Sequence, residues 1–199
     1  MEEQPLNFKN KTFNHVLFAL FSAIIIIQNF VPFFGYIPIG PVNLTIIHIT
    51  VIVVTLTMGL KAGALAGGVW GTITLIRAFI WPTSPLDTIV FTNPFVAILP
   101  RIMIGVVTFW TFKALSKKVN YVTFNMCVSA ISGSLINTLL VLGQIYLFYN
   151  NHSQTLYSLN THALLPYLLG IIVTNGIPEA ILAACIAPSI SKALKKVYS

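Results

Sequence analysis

The chain has 199 residues, of which 56% are hydrophobic and only 8% charged, with a mean hydropathy of +0.87. Soluble globular domains carry about a quarter of their residues as charges, so this composition excludes that class and indicates an all-α, polytopic membrane protein. The net charge of +7 does not point to nucleic acid, because the lysines fall in small groups beside apolar stretches and form no basic groove.

Residues 1–13 are a polar N-terminal segment, and 14–199 read as a single membrane domain. Six stretches approach the ~20 apolar residues that a membrane helix needs: 14–31, 44–60, 62–81, 95–114, 121–149 and 162–191. The first lacks a small-residue cleavage site within easy reach and is expected to remain as an uncleaved helix. A tight turn at Gly59-Leu60-Lys61 separates the second from the third. The nine lysines stand at 9, 11, 61, 113, 117, 118, 192, 195 and 196, in alternate gaps, and the other gaps hold none. By the positive-inside rule both termini face the cytoplasm, and 32–43, 82–94 and 150–161 face outward.

The first outer loop, Val31 to Asn43, combines three prolines and two glycines with large apolar side chains. Trp81 to Pro94 has the same character. Such a loop is expected to fold back over the bundle as a structured lid, the alternative being a loop resting on the bilayer with Tyr36 and Trp81 as interfacial anchors. Asn43-Leu-Thr45 and Asn151-His-Ser153 match a glycosylation triplet on the outer side, a pattern common by chance that would mean nothing were the protein bacterial.

Gly63, Gly67 and Gly71 recur every four residues on the third span and predict close helix packing within the bundle. Ala19 and Ala23 form a small-xxx-small pair on the first span, open to internal packing or to docking on a partner. Cys127 and Cys185 have no ligand or disulfide spacing and read as small buried side chains.

Ionisable groups inside a membrane helix cost several kcal/mol unless partnered, so each is a functional candidate. Trp70, Thr74 and Arg77 share one face of the third helix, and Arg101 lies roughly 9 Å into the fourth. Asn93 precedes that helix, Asn137 and Gln144 share a face of the fifth, and Asn175 and Glu179 are four apart on the sixth. Of these, Arg101, Arg77, Asn93, Trp70, Asn137, Gln144 and Asn175, with Tyr36 and His48, are expected to line an outward-facing site for an anionic small molecule, since guanidinium pairs bidentately with carboxylate or phosphate. The competing readings are arginines that snorkel to headgroups or pair with Asp87 or Glu179, and a structural His48. Glu179 is expected deeper, toward the inner half, in packing or in coupling.

The chain lacks a GxxxxGK[ST] loop, an HExxH, a Cys/His cluster and a Ser/His/Asp set. It is therefore expected to be no enzyme, to hydrolyse no ATP itself, and to need no metal or cofactor. An autonomous proton-coupled secondary transporter using Glu179 is the rival from another class, although no internal repeat supports it.

Gly35-Tyr-Ile-Pro-Ile-Gly-Pro-Val-Asn-Leu-Thr45, Leu60 to Gly71, Arg77-Ala-Phe79, and Thr92-Asn-Pro94 running to Pro100-Arg101 carry a resemblance over nearly the whole chain. The sequence resembles the substrate-binding S components of energy-coupling factor (ECF) vitamin transporters of Gram-positive bacteria, most of all the pantothenate type. The resemblance implies vitamin capture at the outer side and delivery inward with a transmembrane T subunit and two ABC ATPase subunits. It also implies that Ala19 and Ala23 match the family's docking motif for the T subunit. Folate-, riboflavin- or pyridoxine-type components are the alternatives within the family.

Overall fold

The computed structural model describes residues 11–31, 34–39, 42–82, 85–149, 166 and 168–198. The third outer loop, with Asn151-His-Ser153, and Lys9 lie outside the described residues. Among the described residues, five helical segments are long and apolar enough to cross a bilayer: Lys11–Phe30 (α1), Leu60–Ile80 (α3), Pro94–Ser116 (α5), Val122–Tyr149 (α6) and Leu168–Lys196. The last contains a π turn, Ile172–Gly176, that leads into α7, Ile177–Tyr198.

The expected second span, 44–60, is not one helix. It divides into β2, Val42–Thr45, and a twelve-residue α2, Ile47–Met58. At 1.5 Å per residue, α2 covers about 18 Å, short of the ~30 Å hydrocarbon core. Its outer part is replaced by an antiparallel hairpin of β1, Tyr36–Ile39, with β2, in which Tyr36 faces Thr45 and Ile39 faces Val42. Irregular or extended backbone is tolerated at membrane depth only where protein encloses it. Here Ile46 N–H donates to the Gly35 carbonyl at 2.8 Å, and Gly35 itself sits against the Gln28 carbonyl at the end of α1, where no Cβ would fit.

Ten of the twelve α2 residues are buried, and its apolar side chains run all round the helix, the pattern of a central element. It touches α1, α3, α5, α6 and α7. In contrast, α1 buries a single stripe, Leu17, Phe21, Ile25 and Asn29, and leaves the other face outward.

The glycine row packs within the chain, as expected. A Cβ on Gly67 would collide with the Arg101 carbonyl, and one on Gly71 would lie 2.7 Å from Ile98 Cα. Gly105 of α5 returns the contact, its Cβ position falling 2.6 Å from the Gly63 carbonyl carbon. The α3 and α5 backbones therefore touch at three points over about two turns, and α3 holds α5 at a fixed height.

Pro100 and Pro188, inside their helices, each free a carbonyl that a side chain repairs. Pro188 has no N–H for the Ala184 carbonyl, and the Cys127 thiol reaches that oxygen from α6 at 3.4 Å. Pro100 likewise orphans the Val96 carbonyl, and Arg101 Nη1 donates to it at 2.7 Å. The lysine-bearing ends gather together: Lys195 stands 5.6 Å over the Phe112 ring, and Lys192 donates to the Thr123 hydroxyl. Asn29, Tyr36, Arg77 and Asp87 meet at the opposite end, which the lysine layout assigns to the outside.

Candidate functional site

Arg101 is the centre of the outer site. It is 6% exposed, yet among the described residues it has no carboxylate in ion-pair contact. Its guanidinium lies 5.2 Å from the Trp70 ring centre and 4.9 Å from that of Phe91, so aromatic faces partly compensate the charge. One donor serves Val96, and Nε has no partner. Trp70, 1% exposed, also has no acceptor for its indole N–H. Both donors are buried and unspent.

Depth follows from helix contacts. Gly133 of α6 meets Thr108 of α5, and Gly176 meets Thr138 of α6. Because α5 and α6 run antiparallel, these contacts bring Asn137 close to the level of Arg101, with Asn175 of the final span beside it. Asn137 Oδ1 and Gln144 Oε1 are buried without a donor. Asn175 is 7% exposed and receives the Thr174 hydroxyl at 3.1 Å. Arg101, Tyr36, Arg77 and Glu179 are electrostatic neighbours. Buried polar groups in folded proteins are nearly always partnered, so a convergence of unpartnered ones marks a place for a ligand.

Arg77 is arranged differently. Its Nη2 lies 3.6 Å from Asp87 Oδ1, on the short helix Pro85–Ile89 (α4), and its Nη1 donates to the Asn29 carbonyl at 3.3 Å. The guanidinium also stacks 5.0 Å from the centre of the Tyr36 ring, whose hydroxyl reaches Asn29 Oδ1 at 3.5 Å. The pairing with Asp87 is one of the two alternatives the sequence leaves open for this residue. Asn93 acts as the N-cap of α5, its side chain accepting from Phe95 N–H at 3.0 Å ahead of Pro94.

Glu179 forms no ion pair with either arginine among the described residues. Its Oε1 accepts the Thr45 backbone N–H at 2.6 Å, pinning the foot of the hairpin to α7 one turn below Asn175. The hairpin descends to Glu179, which is how a group expected deeper in the bundle reaches the site. His48, 1% exposed, follows that foot, with the Thr45 and Glu179 backbones as polar neighbours, but neither ring nitrogen has a well-formed hydrogen bond. Glu179→Ala is expected to cost about 1–3 kcal/mol by stranding the Thr45 N–H, and Glu179→Gln less, since its amide oxygen can accept the same bond. Thermal unfolding of the two variants in detergent measures this, and equal losses would contradict a hydrogen-bonding role.

Three groups absent from the sequence-based site belong to it. Phe91 roofs Arg101, Glu179 anchors the hairpin, and Asn29 holds Arg77 and Tyr36. Glu179 was marked by its charge in a membrane helix. Phe91 and Asn29 carried no local signal. Among the described residues no cluster of three or more His, Cys, Asp or Glu side chains is placed to hold a metal.

The description "ECF transporter, substrate-specific component" matches residues 14–191. The chain is similar to a Leuconostoc mesenteroides protein named pantothenate transporter PanT, with 32% identity over 191 residues, 93% of each chain. It is equally similar to the pantothenic acid transporter PanT of Lactococcus lactis subsp. cremoris, 32% identical over 202 residues, covering 94% of this chain and 96% of the relative.

Proposed function

The chain belongs to the substrate-specific components of ECF transporters, and from that premise we propose that it captures pantothenate at the outer face of the membrane and delivers it inward with a T subunit and two ABC ATPases. It is a multi-pass membrane transport component and not an enzyme. The observation that carries the ligand assignment is Arg101, a buried cation that has, among the described residues, no carboxylate partner and an unspent Nε beside the unspent Trp70 indole. Pantothenate is a hydroxylated amide ending in a carboxylate. Arg101 suits the carboxylate, while Asn137, Asn175 and Gln144 suit the amide and the hydroxyls. The names of the two relatives point to the same vitamin. Riboflavin would leave the cation unmatched, and folate would demand a wider aromatic slot.

Purified protein in detergent is expected to bind labelled pantothenate without nucleotide, because capture needs only this subunit. Binding of a different vitamin in competition, with pantothenate inert, would overturn the assignment.

The partner assignment rests on α1. Ala19 and Ala23 lie on its outward face with Val16 (62% exposed) and Leu20 (57%), so they take no part in packing within the chain. Small residues there allow a partner helix to approach the α1 backbone closely. Ala19→Trp is expected to abolish ATP-driven uptake in cells while leaving pantothenate affinity within about twofold of wild type, as no site contact changes. Uptake at the wild-type rate would remove this face from the interface, and lost binding would return Ala19 to an internal role.

A further inference from the structure

The two arginines of the outer site have different surroundings, and the difference assigns them different work. Arg77 turns its terminal nitrogens to the chain: Nη2 to Asp87 of α4 and Nη1 to the last turn of α1 at Asn29, with its face on Tyr36 of β1, while its Nε, like that of Arg101, has no partner among the described residues. One side chain of α3 thus joins α1, the hairpin and α4. The segment 85–91 spans the site beside it. Val90, fully buried, packs with Val96, Leu142, Ile145 and Leu168, and Phe91 lies against the Arg101 guanidinium. The segment is therefore held at one end by apolar packing over α5 and α6, and at the other by the contact of Asp87 with Arg77.

We propose that Arg77 is a positioning residue, the clasp that keeps the 85–91 segment closed over Arg101, and that it does not itself bind the ligand carboxylate. The proposal rests on the reading of Arg101 as the ligand cation. A clasp slows ligand escape and is blind to the ligand's charge. A ligand anchor discriminates between an anionic ligand and its neutral analogue. Those two properties can be measured separately.

The test compares Arg77→Gln, Asp87→Asn and the double variant, as full-length protein in lipid nanodiscs. Bound labelled pantothenate is chased, and its neutral alcohol analogue pantothenol is measured in parallel. Each single variant is expected to raise the dissociation rate about tenfold or more for both ligands, with the double variant no faster than Arg77→Gln alone, because that change already removes the contact with Asp87. An unchanged rate in Asp87→Asn would overturn the clasp. So would a loss in Arg77→Gln confined to pantothenate. Hydrogen exchange of the amides of 86–92 in the ligand-free protein provides a readout independent of the vitamin: Asp87→Asn should accelerate it, and unchanged exchange contradicts the proposal. Wild-type protein that binds no pantothenate would overturn the ligand assignment, and the exchange experiment would then decide the clasp alone.

Discussion

Arg101→Ala is expected to weaken pantothenate binding by about 100-fold or more, equivalent to roughly 2.7 kcal/mol, within the range of about 2–5 kcal/mol for truncating one partner of a buried charge pair in a complex. Arg101 has two tasks. It repairs the Val96 carbonyl that Pro100 leaves without a donor, and it presents a free Nε and a positive charge to the site. Alanine removes both, so the loss alone does not separate ligand contact from helix repair. Arg101→Lys separates them. An ammonium can still donate to Val96 and keeps the charge, but it has no planar fork for a carboxylate. The lysine variant should therefore melt close to wild type and bind about tenfold more weakly. Equilibrium binding of labelled pantothenate, together with thermal unfolding, provides the two readouts. If the lysine variant binds as wild type does and the alanine variant loses stability and affinity in proportion, Arg101 is a prop for the Pro100 turn.

Gly67→Ala is expected to destabilise the bundle by about 3 kcal/mol, near the upper end of ordinary overpacking costs, while Gly68→Ala next to it is tolerated. The two glycines are adjacent in sequence but differ in what a methyl would meet. At Gly67 it would enter the Arg101 carbonyl, with the Arg101 carbonyl carbon at 2.6 Å and Ile102 Cα at 3.0 Å, all backbone. Backbone cannot turn aside as a side-chain tip can, so α5 must move bodily. At Gly68 the nearest atom is Ile102 Cγ1 at 3.9 Å, an ordinary contact. Alanine also favours helix over glycine by about 1 kcal/mol, which helps Gly68→Ala and does not rescue Gly67→Ala. Because the obstruction at Gly67 is the carbonyl of Arg101 itself, the same displacement should shift the cation and lower affinity more than stability. Melting temperatures in detergent, paired with ligand affinity, test both parts. Equal behaviour of the two variants would contradict the close α3–α5 contact.

Much of this arrangement is visible in the residues before any coordinates. The lysine layout marks one end of the bundle, and the arginines the other, because charge at a membrane boundary is a one-dimensional signal. Spacing of four at Gly63, Gly67 and Gly71 likewise specifies a helix face, although not which helix meets it. The division of 44–60 into strand and helix was not legible. Leu44 to Thr57 is a run of Ile, Val, Leu and Thr with one histidine, equally suited to a buried strand or a buried helix, and length alone favoured the helix. What decides the matter is tertiary: Glu179, 134 positions away, takes the Thr45 N–H. Pairings at that separation leave no local trace. Asn93 shows the opposite case, since Asn followed by Pro is a helix-start signal that was there to be read, and its side chain caps α5. For Arg77, the sequence offered a ligand, lipid headgroups or a carboxylate partner, and only the position of α4 brings Asp87 to it.

The account stands most directly on what the outer site holds. Wild-type protein should be purified from its native membrane without added vitamin, washed, denatured, and its released small molecules measured by mass spectrometry. The expected result is pantothenate in near-stoichiometric amount from wild type, and its absence from Arg101→Ala prepared identically. Release of another vitamin, or of pantothenate in equal amount from both proteins, would contradict the assignment of Arg101 as the cation that binds this ligand.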